Sequence, residues 1–150
     1  MNGSNRRYGI KQLLRILRVF CWITLVLVLF QNYLTRFDYV YDLPEESLSL
    51  FLEKGAPLWS MDRTLEDQLS SRLCSLSGVH KAGELNLLAG QDVPVAVRGT
   101  FGSLKVGFRS GDGPLLLLEN VDDASSVSLD AGTYEIFFIG KHFWGEAFVN

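Results

Sequence analysis

"VPVAVRGTFGSLKVGFRS", Val93 to Ser110, is the stretch whose periodicity decides the fold of the larger part of this chain. Val93, Val95 and Val97, then Leu104, Val106 and Phe108, alternate with smaller or polar residues. That two-residue period belongs to a strand with one side turned to a core, since a helix would space its apolar residues three and four apart. Gly99 and Gly102 stand between the two runs and predict a turn there.

Segments of the same character surround it: "ELNLLAG" from Glu84, "PLLLLENV" from Pro114, "SSVSL" from Ser125, "GTYEIFFIG" from Gly132 and "HFWGEAFV" from His142. Turn signals separate them at Gly90-Gln91-Asp92, Gly111-Asp112-Gly113-Pro114, Asp122-Asp123, Asp130-Ala131-Gly132 and Gly140-Lys141. Seven short strands spaced in this way predict an all-β antiparallel sandwich over residues 84–150. Asp112-Gly113 is expected to turn a hairpin between the third and fourth strands.

The order of these segments resembles the small immunoglobulin-like or jelly-roll modules of bacterial surface proteins. In such modules an L-x-A-G-T-Y hairpin, matched here by Leu129 to Tyr134, closes the sandwich. The resemblance implies an architecture and an extracytoplasmic habitat. Adhesins, sugar-binding modules and spacers share it, so it implies no ligand.

Residues 36–83 read as a juxtamembrane helical segment. Asp42-Leu43-Pro44-Glu45-Glu46 is a helix start, with Asp42 as cap and acids in the first turn; Leu48, Phe51 and Leu52 form its apolar stripe, and Gly55-Ala56-Pro57 ends it. A second helix is expected from Asp62 to Ser77. Its face would be Leu65, Leu69, Leu73 and Leu76, at spacings of four, four and three, with Gly78 as the stop.

Further toward the N-terminus lies "RVFCWITLVLVLFQNYL", Arg18 to Leu34. Its strictly apolar core, Val19 to Phe30, is twelve residues, short for a span. The 17 residues between Arg18 and Arg36 make roughly 25 Å of helix, and both arginines can extend toward headgroups. Tyr33, Phe37, Tyr39 and Tyr41 supply interfacial aromatics. No small-residue cleavage pattern follows the run, which argues against a removed signal peptide. Val19, Phe20, Trp22, Ile23, Leu25, Val26, Leu27, Val28, Leu29 and Phe30 are therefore the expected anchor, within residues 19–35.

Residues 1–18 carry Arg6, Arg7, Lys11, Arg15 and Arg18 and no acid; the other nine basic residues and all 17 acids follow, leaving −8. These five cations are expected to contact anionic lipid, on an amphipathic segment with Ile10, Leu13, Leu14 and Leu17 on its opposite face. The positive end predicts a cytoplasmic N-terminus, with residues 36–150 outside a single-pass membrane helix. An acidic body argues against nucleic acid as a partner.

Chemical motifs are sparse. His80 and His142 are far apart, and neither makes a zinc pattern with Cys74. No nucleophile elbow, phosphate loop or dinucleotide glycine pattern occurs, so no enzyme activity, metal or cofactor is expected. Asp112, Asp122 and Asp123 are better read as turn residues than as calcium ligands. Cys21 and Cys74 fall on opposite sides of the membrane boundary, so no disulfide is expected within the outer domain. Residues 36–150 contain no Asn-x-Ser/Thr, which leans toward a bacterial source.

The suggestive constellation is aromatic: Phe137, Phe138, Phe143, Trp144 and Phe148 crowd the last strands. Neighbours in a strand point to opposite faces, so these rings cannot all enter one core. Phe138, Phe143 and Trp144 are the candidates for a partner or sugar surface, unless the preceding helices cover that face. The expected function is a non-enzymatic accessory or assembly subunit docking on a membrane or envelope protein. A module for cell-envelope glycan is the alternative, and an extracytoplasmic sensor acting through a partner the third reading.

Overall fold

The computed structural model describes Gly3 to Asn150 except residues 53–54, 57–58, 66–67, 120 and 122–124. Side chains are described for residues 12–33, 35–52, 60–62, 68–119, 121 and 125–150. The chain divides into two units, Met1–Tyr33 and Leu34–Asn150.

The first unit belongs to one helix, α1, Gly3–Thr35. Its 33 residues span roughly 50 Å, and the basic N-terminal turns continue into the apolar run without a break. Among the described residues this is one helix long and apolar enough to cross a membrane, with a mean hydropathy of 2.3 and none of its apolar window buried.

The second unit is an antiparallel all-β sheet preceded by short helical turns. The turns are α2 (Asp38–Tyr41), α3 (Glu45–Leu48) and a 3₁₀ turn, Ser49–Phe51. The strands are β1 (Gly55–Ala56), β2 (Trp59–Leu65), β3 (Gln68–Leu87), β4 (Gln91–Arg109), β5 (Leu115–Leu118), β6 (Ser125–Leu129) and β7 (Gly132–Val149). β7 runs between β3 and β4, antiparallel to both. β1 and β2 pair with β3; β5 and β6 pair with β4.

The predicted second helix is a strand. Residues 62–65 lie in β2 and 68–77 in β3, and the leucine spacing that suggested a helix fits a bulged strand equally well. Leu69 and Leu73 are two strand repeats apart and face one side. Register shifts between Leu73 and Leu76, where Ser75 has φ 53, add one residue and return Leu76 to that side. All three leucines enter the main core. Gly78, with φ 92, sits at the next irregularity of the strand rather than stopping a helix.

The seven predicted segments from Glu84 onward are likewise joined into fewer strands. "ELNL" ends β3, the Val93 and Leu104 runs make one β4, and the last two segments make one β7. Gly99, Gly102 and Gly140, read as turns, lie inside long strands beside shifts of the pairing register, whereas Gly90, Gly111 and Gly113 stand in turns as expected. At Gly102 (φ 79) an added Cβ would stand 2.3 Å from the His142 carbonyl oxygen, so β7 crosses too closely for a side chain. Leu129 and Gly132 lie on β6 and β7, which pair with other strands, so this is a corner rather than a closing hairpin among the described residues. The β4–β5 hairpin forms as expected: Gly113 N–H donates to Ser110 O at 2.9 Å.

Two apolar clusters cover the two faces of β7. Ile136 and Phe138 enter the larger, with Leu85, Val106 and Phe108; Phe137 and Ile139 enter the smaller, with Val40, Leu48, Leu52, Val79 and Leu115. The helical turns thus cover the outer face of this part of the sheet. Burial on both faces is why "IFFI" is continuously apolar. As the sequence suggested, acids occupy the first turn of α3 and Leu48 and Leu52 are buried with Phe51 beside them. Asp42 is not the cap: Pro44 holds that position, and the Asp42 carboxylate instead meets Lys141 Nζ at 2.6 Å.

Candidate functional site

The ten residues expected to form the anchor, from Val19 to Phe30, project from α1 with 46–67 % of their surface exposed. Arg15 and Arg18 are exposed on the same helix; the side chains of Arg6, Arg7 and Lys11 lie outside the described residues.

The aromatic candidates divide. Phe138 and Phe143 are buried in the main core and are therefore corrected from surface to packing residues. Between them the Lys141–His142 irregularity, with His142 at φ 54, changes which parity of β7 faces inward. Phe138 is inward before it; Phe143, Ala147 and Val149 are inward after it. Trp144, Glu146 and Phe148 consequently share the outer face.

Phe101 is opposite Trp144 in the β4–β7 register, and the two are 67 % and 39 % exposed. The sequence pattern missed Phe101 because it continues the parity of Val93, Val95 and Val97, which points inward. Register shifts on either side of Phe101 turn it out. The sequence signal available was its place between Gly99 and Gly102. Thr100 Oγ1 donates to the Trp144 carbonyl at 3.1 Å and ties the two strands at this level.

Around this pair lies a face of arginine, methionine and aromatic groups. Met61, Arg72, Glu146 and Arg98 are neighbours across β2, β3, β7 and β4. Arg72 Nε donates to Glu146 Oε1 at 2.7 Å, and the Arg98 guanidinium sits 5.7 Å from the centre of the Phe148 ring. Met61, Ser70, Ser71, Arg72, Glu146 and Phe148 line a shallow cleft of about 210 Å³.

The remaining polar clusters hold the fold together. Glu135 accepts from Lys81 Nζ at 2.6 Å and from Arg109 Nε at 3.0 Å. The Lys81 and Arg109 bonds hold its carboxyl below the usual carboxylate range, and the Glu135 bond raises Lys81 above the usual lysine range. A bond to Asp42 raises Lys141 in the same way. Asp38 pairs with His142 Nε2 at 2.6 Å and also accepts from the Ser77 hydroxyl. The carboxylate lies between serine and histidine, so the histidine does not receive the hydroxyl proton and the group is no nucleophile relay. His80 pairs with Asp62 at 2.9 Å. Among the described residues no three His, Cys, Asp or Glu side chains gather around one point that could hold an ion. Asp122 and Asp123 lie outside the described residues, and Asp112 is exposed in its turn. Cys74 is half-buried in β3.

No family model and no curated protein matches the chain. Similar solved structures include Drosophila melanogaster CENP-C bound to CAL1, at 10 % identity over 69 % of this chain and 95 % of that one, with a TM-score of 0.35. Another is the apo form of BiXyn10A CBM1, at 12 % identity over 66 % and 91 %, with a TM-score of 0.33. Neither likeness bears on what this chain binds.

Proposed function

We propose that this chain is a non-enzymatic, single-pass membrane protein with its N-terminus in the cytoplasm. Its extracytoplasmic domain, a sandwich of immunoglobulin-like or jelly-roll kind, docks on a membrane or envelope protein as an accessory or assembly subunit. The observation that carries this reading is the exposed cross-strand pair Phe101 and Trp144. Exposed aromatic rings set among Arg72, Arg98, Met61 and Phe148 are the residue types enriched where proteins meet.

Reach favours a partner at the membrane. Asp38 follows the end of α1 by three residues and pairs with His142, two residues from Trp144. The strand that carries Trp144 is thus tied to the segment that directly follows α1.

The test uses the full chain in its own membranes, with a photo-crosslinking residue at position 101. Crosslinking to one defined membrane protein, lost in Trp144→Ala while the fold is retained, supports docking. Loss of glycan retention with that crosslink intact would favour the sugar module. Intact mass and protease treatment of sealed cells test the topology in the same preparation: a full-length mass with cleavage confined to residues 36–150 is expected.

A further inference from the structure

The helical turns between the membrane helix and the sheet leave an apolar edge uncovered. Leu50 is 78 % exposed and Tyr39 is 50 % exposed, although their neighbours Leu48 and Val40 are fully buried. The Tyr39 ring meets Phe51 edge-on at a centroid distance of 6.0 Å, which joins the two turns into one apolar patch. The acids of the segment turn elsewhere: Glu45, Glu46 and Ser49 line a cleft with Asp112, Gly113, Pro114 and Leu115 of the β4–β5 turn.

Two facts restrict what this patch can meet. Tyr39 follows the last residue of α1 by four positions, so the chain can carry it only about 14 Å from the helix end. Nor can α2 swing away from the sheet. Asp38 is held by His142 and Ser77, Asp42 by Lys141, and Val40 is buried in the smaller cluster. A tyrosine within that reach of a span, with a leucine on the same patch, is suited to headgroup depth, where an amphipathic ring and a neighbouring aliphatic side chain are stable. Arg36, stacked on the Phe37 ring at 4.5 Å, adds a cation at the same level.

We propose that the Tyr39–Leu50 edge rests on the outer headgroup layer of the bilayer that α1 spans, so that the domain touches lipid at a second point besides its anchor. This rests on the reading of α1 as a span.

The test places benzoyl-phenylalanine singly at positions 39, 50, 25 and 88 of the full chain. Each variant is reconstituted in nanodiscs of phosphatidylcholine and phosphatidylglycerol, illuminated, and weighed intact. Position 25 reports the span; Leu88, 96 % exposed at the β3–β4 turn, reports an apolar surface residue elsewhere on the fold. Lipid adducts at 39 and 50 comparable to those at 25, with none at 88, are expected. Adducts at 25 alone would overturn the contact and leave the anchor standing. No lipid adduct at 25 would overturn both, and a doubled-chain mass at 50 would assign the edge to a second copy instead. Leu25, Leu50 and Leu88 are exposed, and benzoyl-phenylalanine at position 39 keeps an aromatic ring beside Phe51, so the substitutions leave the packing intact.

Discussion

Leu48 and Leu50 stand two residues apart, and the structure predicts opposite consequences for shortening them. Leu48 is fully buried among Phe137, Ile139, Val40 and Leu52, where it closes the outer face of the sheet. Leu48→Ala removes buried methyl and methylene groups and leaves a cavity, which costs about 2–5 kcal/mol in a close-packed core. A domain of this size loses roughly 4 °C of melting temperature per kcal/mol, so the expected shift is about 8–20 °C. Leu50→Ala removes an exposed side chain and should stay within about 0.5 kcal/mol. Both variants would be melted as the full chain in nanodiscs, following near-ultraviolet circular dichroism of the buried aromatics. If Leu48→Ala melted within a degree or so of Leu50→Ala, the helical turns would not cover the sheet. The assignment of Phe137 to packing would fall with it.

Other outcomes follow from the same packing. Gly145→Ala is expected to cost more than about 2 kcal/mol, because its Cβ would meet the Arg98 carbonyl at 2.3 Å. Gly90→Ala, whose nearest contact would be 3.6 Å, should fold normally, and denaturant titration of both compares them. Phe101→Ala should leave the melt unchanged within about 0.5 kcal/mol, and Trp144→Ala, whose ring is partly covered, should cost about 1–2 kcal/mol, whereas Phe138→Ala should lose about 3–5 kcal/mol. Glu135 is held ionised by Lys81 and Arg109, so its folded-state carboxyl lies below its unfolded one and stabilises the protein at neutral pH. That contribution is lost as pH falls through the folded carboxyl's range, below the ordinary value of 4.5. These side chains are partly exposed, so the expected effect of Glu135→Gln is up to about 1 kcal/mol at pH 7, with the two proteins converging in acid. Melts at several pH values would show it.

Much of this molecule is written in residue spacing. Val19 to Phe30 could only be one long apolar helix, because nothing in that run breaks a helix or offers a polar face. The alternation of Val93, Val95 and Val97 and of Leu104, Val106 and Phe108 could only be strand, and Asp112-Gly113 could only be a turn. The acids after Pro44 and the stripe of Leu48, Phe51 and Leu52 likewise marked the short helix and its buried side. What spacing does not encode is where a long strand takes an extra residue. Leu69, Leu73 and Leu76 satisfy both a helix face and a bulged strand, and only their pairing with β2 and β7 chooses between them. The bulges near Phe101 and His142 likewise reverse which side chains face out, burying Phe143 and exposing Trp144 and Phe101. A bulge is fixed by what the neighbouring strand's backbone requires, as at Gly102 against His142. That requirement exists only once distant segments have come together, so the candidate surface and the strand state of residues 68–77 belong to the tertiary structure, while the apolar helix and the strands around Val93 and Leu104 belong to the sequence.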